Sequence, residues 1–590
     1  MSPPISSPKR AWWKESSVYQ IYPASFLDSN GDGLGDIPGI TSKLDYIKAL
    51  GIDIVWVCPI YKSPQVDMGY DISDYRDIHA PYGTLEDVDA LIKGCHERGM
   101  KLLMDLVVNH TSNQHKWFQE AKSSKDSPYR DFYMWKKPRY DPEGKRQPPN
   151  NWAAAWGGSA WEYDEPSDEY YLHLFAPEQP DLNWENPKVR DAVHDIMRFW
   201  LDKGVDGFRM DVINFISKVP ELPDAPITNP DSPWQSGIKY FACGPRLHEF
   251  LLALGTILKE YDAFSVGEMP GVEDPKDILD AVGFDRGQLN MIFQFEIVNM
   301  DQGDRGKFSP RDWKMSELKY IVNRWQTFMI ENDGWNALYL ENHDQSRSVS
   351  RWGSDHPSNR VVCAKMFATF LALQSGTLFI YQGQELGMTN LPLDRPISEY
   401  RDLETLNPWR EMMRDHPNDP ELHRLLKQQI ALKSRDNART PMQWSSAPHA
   451  GFTLPSSTPW QLENPSYVDI NAESQLHVPG SVFSYWASLL ALRKSHRDVF
   501  IYGDFALLGE GAGEGHEDVF AYLRRYGDEK VAVVCNFKDV VVEWKMPAGM
   551  RMKEGGVLTS TYGGVMEGEG GAVLFLRPFE AVASFVEQTG

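Results

Sequence analysis

Cysteine is scarce in this chain. Its 590 residues include only Cys58, Cys95, Cys243, Cys363 and Cys535. Their number is odd, their spacings are wide, and none falls into a metal-ligand pattern, so neither a disulfide scaffold nor a cysteine zinc site is expected. Cys58, Cys95 and Cys363 lie in apolar stretches and read as buried free thiols suited to a reducing compartment. No apolar run is long enough to span a bilayer. Residues 1–13 are rich in Pro and Ser and lack the apolar core of a secretion signal, so a cytoplasmic location is expected. Positive charge is also short. The net charge of −23 argues against nucleic acid and anionic membranes as partners. Internal repeats and low-complexity tracts are absent, and no organic cofactor is expected.

What is present suits a large enzyme. The length implies two or three domains, one of which can be a (β/α)₈ barrel of about 250 residues. Short apolar runs alternate with amphipathic helices: a strand from Ser17 to Phe26, a helix over Lys43–Leu50, a strand over Ile52–Val57, a helix over Leu85–Arg98 and a strand over Lys101–Val108. That rhythm implies a parallel sheet with helices outside and ligands at the carboxyl ends of its strands. It stops between residues 111 and 181, a stretch rich in Trp, Tyr, Pro and Asn, then resumes with a helix over Pro187–Lys203. The expected organisation is a barrel begun over residues 1–110, an inserted domain over 111–181, the rest of the barrel over 182–499 with a second insertion at about 390–445, and an antiparallel β domain over 500–590.

Three acids stand where strands run out. The segment Gly207-Phe208-Arg209-Met210-Asp211 ends in Asp211, Phe264-Ser265-Val266-Gly267-Glu268 in Glu268, and Tyr339-Leu340-Glu341-Asn342-His343-Asp344 in Asp344. Arg209 shares a strand face with Asp211 and is expected to lower its pKa. Glu268, near two other anions, is expected to hold its proton. Two carboxyls of unequal pKa are what glycoside hydrolysis needs; clustered acids can equally hold a divalent metal. After the first strand, Asp28-Ser29-Asn30-Gly31-Asp32-Gly33-Leu34-Gly35-Asp36 places oxygen ligands at every second position. It reads as a Ca²⁺ loop using Asp28, Asn30, Asp32, Asp36 and the Leu34 carbonyl, or as an Asx-rich turn without metal.

These motifs, with Asp105-Leu106-Val107-Val108-Asn109-His110 and Gln179-Pro180-Asp181-Leu182-Asn183, resemble the α-amylase family of glycoside hydrolases, in its oligo-1,6-glucosidase and α-glucosidase branch. The resemblance runs nearly end to end. It implies a barrel, a domain inserted after strand three, a C-terminal β domain and retention of anomeric configuration. It implies Asp211 as nucleophile, Glu268 as acid/base and Asp344 as transition-state stabiliser. It implies a glucose pocket built from Asp67, Tyr70, His110, Arg209, His343 and Arg439, with Phe175 on its wall, and a structural calcium ion in the aspartate-rich loop. Asp67 and Arg439 are expected to pair at the pocket's base and make it a dead end. Val212, after the nucleophile, resembles the 1,6-preferring type. An oligosaccharide is the expected partner. Alternatives are an α-1,4-specific or sucrose-cleaving α-glucosidase, a sucrose-isomerising or transglycosylating relative, for which Leu393-Asp394-Arg395 is a partial echo, and a non-enzymatic transporter subunit.

Overall fold

The structure is a computed structural model that describes residues 9–272, 274–303, 306–509 and 516–588. Residues 1–8, most of the stretch expected to lack a secretion signal, lie outside the described residues.

Eight parallel strands form the barrel. They are β1 (Ser17–Ile21), β2 (Ile54–Val57), β3 (Lys101–Leu106), β4 (Gly207–Met210), β5 (Phe264–Glu268), β6 (Met291–Phe293), β7 (Ala337–Leu338) and β8 (Thr377–Tyr381). Each of β1 to β5 pairs with its successor, β5 with β6, β7 with β8, and β8 with β1. One parallel bridge, Ile292 to Asn336, brings the two remaining edges together. β1 is shorter than expected and does not alternate: all five residues are buried, and a 3₁₀ turn over Pro23–Ser25 follows. A parallel barrel strand is covered on both faces, which removes the period-two pattern.

Helices alternate with the strands: α1 (Leu44–Leu50), α2 (Leu85–Glu97), α3 (Pro187–Asp202), α4 (Leu247–Glu260), α5 (Pro275–Val282), α6 (Met315–Glu331), α7 (Arg360–Ala372), α8 (Leu403–Asp415), α9 (Pro420–Lys433) and α10 (Val482–Ser495). α2 shows how they seat. Thr84 and Asp87 cap its start reciprocally, and Val88, Leu91, Ile92 and Cys95 make one buried stripe. Among the described residues, no helix is long and apolar enough to cross a membrane. All five cysteines are free, and Cys58, Cys95 and Cys363 are buried as expected.

Two excursions cover the strands' carboxyl ends. The first, after β3, holds a three-stranded antiparallel sheet of Trp135–Lys136, Glu169–Leu172 and Trp161–Asp164. It is stitched at its base by a His110–Asp181 bridge and by the Leu182 amide donating to the Asn109 carbonyl. Its Trp152, Trp161, Tyr170 and Leu174 form a separate core with Val212, Phe215 and Phe241 from the chain after β4. The second, between β8 and α10, contains the helical hairpin α8–α9. The C-terminal part is a five-stranded antiparallel sheet of Asp504–Leu507, Val519–Tyr526, Glu529–Asn536, Ala581–Gln588 and Met550–Ser560, in that order. Phe520 and Phe537 pack edge-on against Phe370 of α7.

Candidate active site

The floor of the site is one guanidinium. β3, β4 and β5 run side by side, so their ends bring Asp105, Arg209, Asp211 and Glu268 together. The approach of β4 to β5 depends on Gly207, where a Cβ would lie 2.0 Å from the Phe264 carbonyl oxygen. Arg209 is buried. Its Nη1 donates to Asp105 Oδ1 and to Asp211 Oδ1, each at 2.6 Å, and its Nη2 lies 2.7 Å from Glu268 Oε2. Asp105 Oδ2 also accepts from the Trp56 indole at 2.8 Å.

One cation cannot neutralise three buried acids. Burial pushes Asp211 up to about 6, and the attraction of Arg209 only moderates this. Arg209 acts downward as expected, but desolvation outweighs the neighbouring charge, so the expected net lowering of this pKa is corrected to a rise. Glu268 is pushed further, to about 8, by burial and by the anions Asp211 and Asp344. Asp105 also rises to about 6 on burial. Near neutral pH, one carboxyl of the Asp211–Glu268 pair is mainly ionised and the other mainly protonated.

The opposite wall is held by two further guanidiniums. Asp344 Oδ1 accepts from Arg439 Nη2 at 2.8 Å and from Arg435 Nη1 at 3.1 Å. Burial acts upward on this carboxyl, yet the surrounding positive groups hold it far below the usual range. His343 contacts Asp344 Oδ2 at 3.3 Å. Burial drives this imidazole down to about 3, so it is neutral in the working range and the arginines carry the charge. His343 also meets Gln20 at 2.9 Å and stacks on Tyr70, with ring centroids 5.2 Å apart.

Asp67 pairs with Arg435, Nη2 to Oδ1 at 3.2 Å, and accepts from Gln179 at 3.1 Å. The expected Asp67–Arg439 pair is corrected. Arg439 Nη1 and Nε are taken up by Asp402 at 2.6 Å and the His343 carbonyl at 3.0 Å. Burial raises Asp67 to about 6. His110 is buried, with Nε2 3.1 Å from the Tyr70 carbonyl, and burial lowers its pKa. Phe175 packs on His110 and Trp156 at 5.1 and 5.8 Å.

Between these walls lies a cavity of about 150 Å³. It is lined by Asp67, Tyr70, His110, Phe175, Asp211, Val212, Glu268, His343 and Asp344, joined by Trp156, Pro270, Phe295 and Arg435. A cavity of that size holds one six-membered ring. Three larger hollows, of about 370, 560 and 760 Å³, contain none of the strand-end acids. Arg209 lies beneath the cavity and Arg439 behind Asp344, outside the lining. Arg435, Trp156 and Asp402 were not singled out from sequence, and Gln179 was named only as part of the Gln179–Asn183 motif; the four-residue spacing of Arg435 and Arg439 was the available signal. Val212 has φ 34° and ψ 44°, a left-handed conformation rare for a β-branched residue. Its amide lies 3.3 Å from Glu268 Oε2.

The aspartate-rich loop lies outside this lining. Asp28 accepts from the amides of Asn30, Gly31 and Gly33, Asn30 from Asp32, Asp32 from Leu34, and Asp36 from Ser29 and Gly39. The side-chain oxygens of Asp28, Asn30, Asp32 and Asp36 and the Leu34 carbonyl are hard donors suited to Ca²⁺, but both oxygens of Asp28, which also accepts from the Thr453 hydroxyl, and of Asp36, which also accepts from the Ser29 hydroxyl, already take two hydrogen bonds each. Among the described residues, no three His, Cys, Asp or Glu side chains are grouped to hold a metal ion.

Comparison with known proteins agrees with this geometry. The family described as alpha amylase, catalytic domain, matches residues 20–503. An alpha-glucosidase of Schizosaccharomyces pombe is 50% identical over 554 residues, 93% of this chain and 94% of its own. An oligo-1,6-glucosidase of Parageobacillus thermoglucosidasius is 50% identical over 576 residues, 97% of this chain and 98% of its own. A crystal structure of a trehalose-6-phosphate hydrolase from Bacillus licheniformis matches with TM-score 0.88 at 42% identity, over 98% of this chain and 100% of that one. One of an isomaltulose synthase from a Klebsiella species matches with TM-score 0.90 at 39% identity, over 98% and 100%. With strand-end acids, barrel and near full-length relatives in agreement, this chain belongs to the α-amylase family of glycoside hydrolases.

Proposed function

We propose that the chain is a retaining, exo-acting α-glucosidase that releases glucose from the non-reducing ends of short oligosaccharides and prefers α-1,6 links. The observation that carries this is the unequal pair on Arg209, with Asp211 at about 6 and Glu268 at about 8. In this reading the Asp211 carboxylate attacks the anomeric carbon. As the glycosidic bond breaks, Glu268 gives its proton to the leaving oxygen. Glu268 then takes a proton from water, whose oxygen displaces Asp211 and restores the original anomeric configuration. Asp344, held ionised by Arg435 and Arg439, stabilises the positive charge that develops on the sugar ring.

A dead-end pocket supports exo-action. The Asp67–Arg435 pair, backed by Asp402, offers donors and acceptors to a terminal glucose and leaves no passage for a further sugar. Val212 supports the linkage preference, because a stiff apolar side chain crowds a directly ring-linked α-1,4 aglycone more than an α-1,6 aglycone on its rotatable CH₂. Isomerisation has less support. Leu393 is exposed, and Arg395 is tied to Glu399 and the Glu463 carbonyl, outside the cavity lining.

Initial rates on isomaltose, maltose and sucrose, with the product anomer followed by NMR, test the assignment. The α-anomer of glucose should appear first, fastest from isomaltose. First release of the β-anomer would overturn retention, and maltose cleaved at least as fast as isomaltose would overturn the linkage preference. Calcium in the aspartate-rich loop belongs to the same reading, as a stabiliser through binding to the folded state. Chelator should lower the melting temperature while folded enzyme stays active. Immediate loss of activity at an unchanged melting temperature would overturn that role.

A further inference from the structure

His343 lines the glucose-sized cavity, and its imidazole is closely packed. Tyr70 and Tyr22 lie nearly parallel to it, with ring centroids 5.2 and 6.2 Å away, and Trp56 meets it edge-on at 6.3 Å. Its ring nitrogens face two different groups. Nε2 lies 3.3 Å from Asp344 Oδ2, and Nδ1 lies 2.9 Å from the amide nitrogen of Gln20.

Those two neighbours decide where the single hydrogen of a neutral imidazole sits. Asp344 is held ionised and can only accept, so the nitrogen facing it carries the hydrogen. Nδ1 then presents a lone pair and needs a donor, which Gln20 supplies. Turned about, the Gln20 amide would set its oxygen against that lone pair. The donor is rigidly placed. Gln20 is a buried β1 residue paired with Trp56 on β2 and Tyr381 on β8, and its carbonyl accepts from the Gln382 amide at 3.0 Å. Its side-chain nitrogen also lies 3.3 Å from Cys58 Sγ. Among the charged groups around the imidazole, Asp344 favours a second proton on it, whereas Arg209, Arg439 and Arg435 oppose one.

We propose that Gln20 is a positioning residue whose amide N–H keeps Nδ1 of His343 an acceptor, so that this histidine serves the site as a neutral donor through Nε2. The inference rests on the α-glucosidase reading for what that donor serves, and deepens it. A second proton on His343 would set one N–H against another at Gln20. It would also put a full positive charge beside Asp344, whose negative charge in that reading faces a sugar ring that is itself becoming positive. Gln20 thus leaves the charge of Asp344 to act on the substrate.

The test is a nitrogen spectrum of protein labelled with ¹⁵N-histidine, in which the His343 signals are those lost in His343→Gln. Near neutral pH the wild type should carry its proton on Nε2, with Nδ1 unprotonated and hydrogen-bonded. Gln20→Met is close in volume and has no N–H. It should move the Nδ1 signal to that of an unbonded lone pair and lower kcat on isomaltose by about tenfold or more, measured below its melting temperature. Gln20→Ala should do the same. A proton on Nδ1 in the wild type overturns the proposal. So do folded variants in which either the Nδ1 signal or kcat is unmoved; a lower melting temperature alone would make Gln20 a structural residue. Folded wild type that cleaves no α-glucoside would sink the α-glucosidase reading instead, and its nitrogen spectrum would still decide where the His343 proton sits.

Discussion

Asp105→Asn removes a charge that never lines the cavity, yet it should move the pH profile of catalysis. In wild type, kcat/KM should be bell-shaped. On the roles proposed above, activity requires Asp211 ionised, so it should fall as pH drops through about 6, and Glu268 protonated, so it should fall as pH rises through about 8. The Asp105 and Asp211 oxygens each lie 2.6 Å from the same Arg209 nitrogen, so they are no more than twice that distance apart. At an effective dielectric of about 20, two charges that close repel by about 3 kcal/mol, or roughly two pKa units. Asp105 itself titrates near 6, so it is ionised only about half the time where Asp211 titrates. The acid limb should therefore move down by about one unit, to near pH 5. The Glu268 limb should move the same way by less, because Asp211 and Asp344 dominate its surroundings. Asparagine has one acceptor where the carboxylate serves both Trp56 and Arg209, so stability should fall by about 1–3 kcal/mol. The assay is kcat/KM against pH below the variant's melting temperature. A lower melting temperature with an acid limb unmoved within about 0.3 units would refute the coupling through Arg209.

Asp211→Asn should lower turnover by roughly 10⁴-fold or more with the fold intact, and retention of over about a tenth of the activity would exclude it as nucleophile. Val212→Thr should shift the ratio of isomaltose to maltose rates toward maltose by about 1–3 kcal/mol of discrimination; no shift would place the linkage preference elsewhere. Gly207→Ala should destabilise by more than about 3 kcal/mol, or prevent expression of folded protein, because its Cβ meets the Phe264 carbonyl at 2.0 Å. A melting temperature within a few degrees of wild type would show that β4 and β5 can separate at no great cost.

Much of the site was legible because its acids close short apolar runs. Asp211 follows β4 and Glu268 ends β5, where a local pattern suffices. The pKa of Asp211 was misjudged because its sign depends on burial, which collects atoms from distant parts of the chain. Arg435 was missed for a related reason: two arginines four apart look alike in sequence, both pair with Asp402 and Asp344, and only the approach of residue 67 to Arg435 tells them apart. In the fold, β6 is three residues long, too short for any run to announce it, whereas the run leading to Asp344 was expected as a strand and forms only the two-residue β7. The second insertion was seen without its helices. α8 carries Pro408 inside it, and the stripe of Leu422, Leu425, Leu426 and Ile430 on α9 is set among charged residues, so it was passed over.

The left-handed backbone at Val212 has a consequence for how this enzyme can diverge. A β-branched side chain at φ 34° costs stability of order 1–3 kcal/mol that glycine at the same place would not. Mutational drift at this codon is therefore drawn toward glycine or asparagine, which relax the backbone but remove the valine from the cavity wall. On the role proposed for Val212, thermal stability and linkage discrimination should pull this single position in opposite directions. A library randomised at residue 212 and sorted only for heat resistance should drift toward the small or amide residues. The same library sorted on isomaltose should return to valine, and stability gained elsewhere in the barrel should widen the range of residues that survive there.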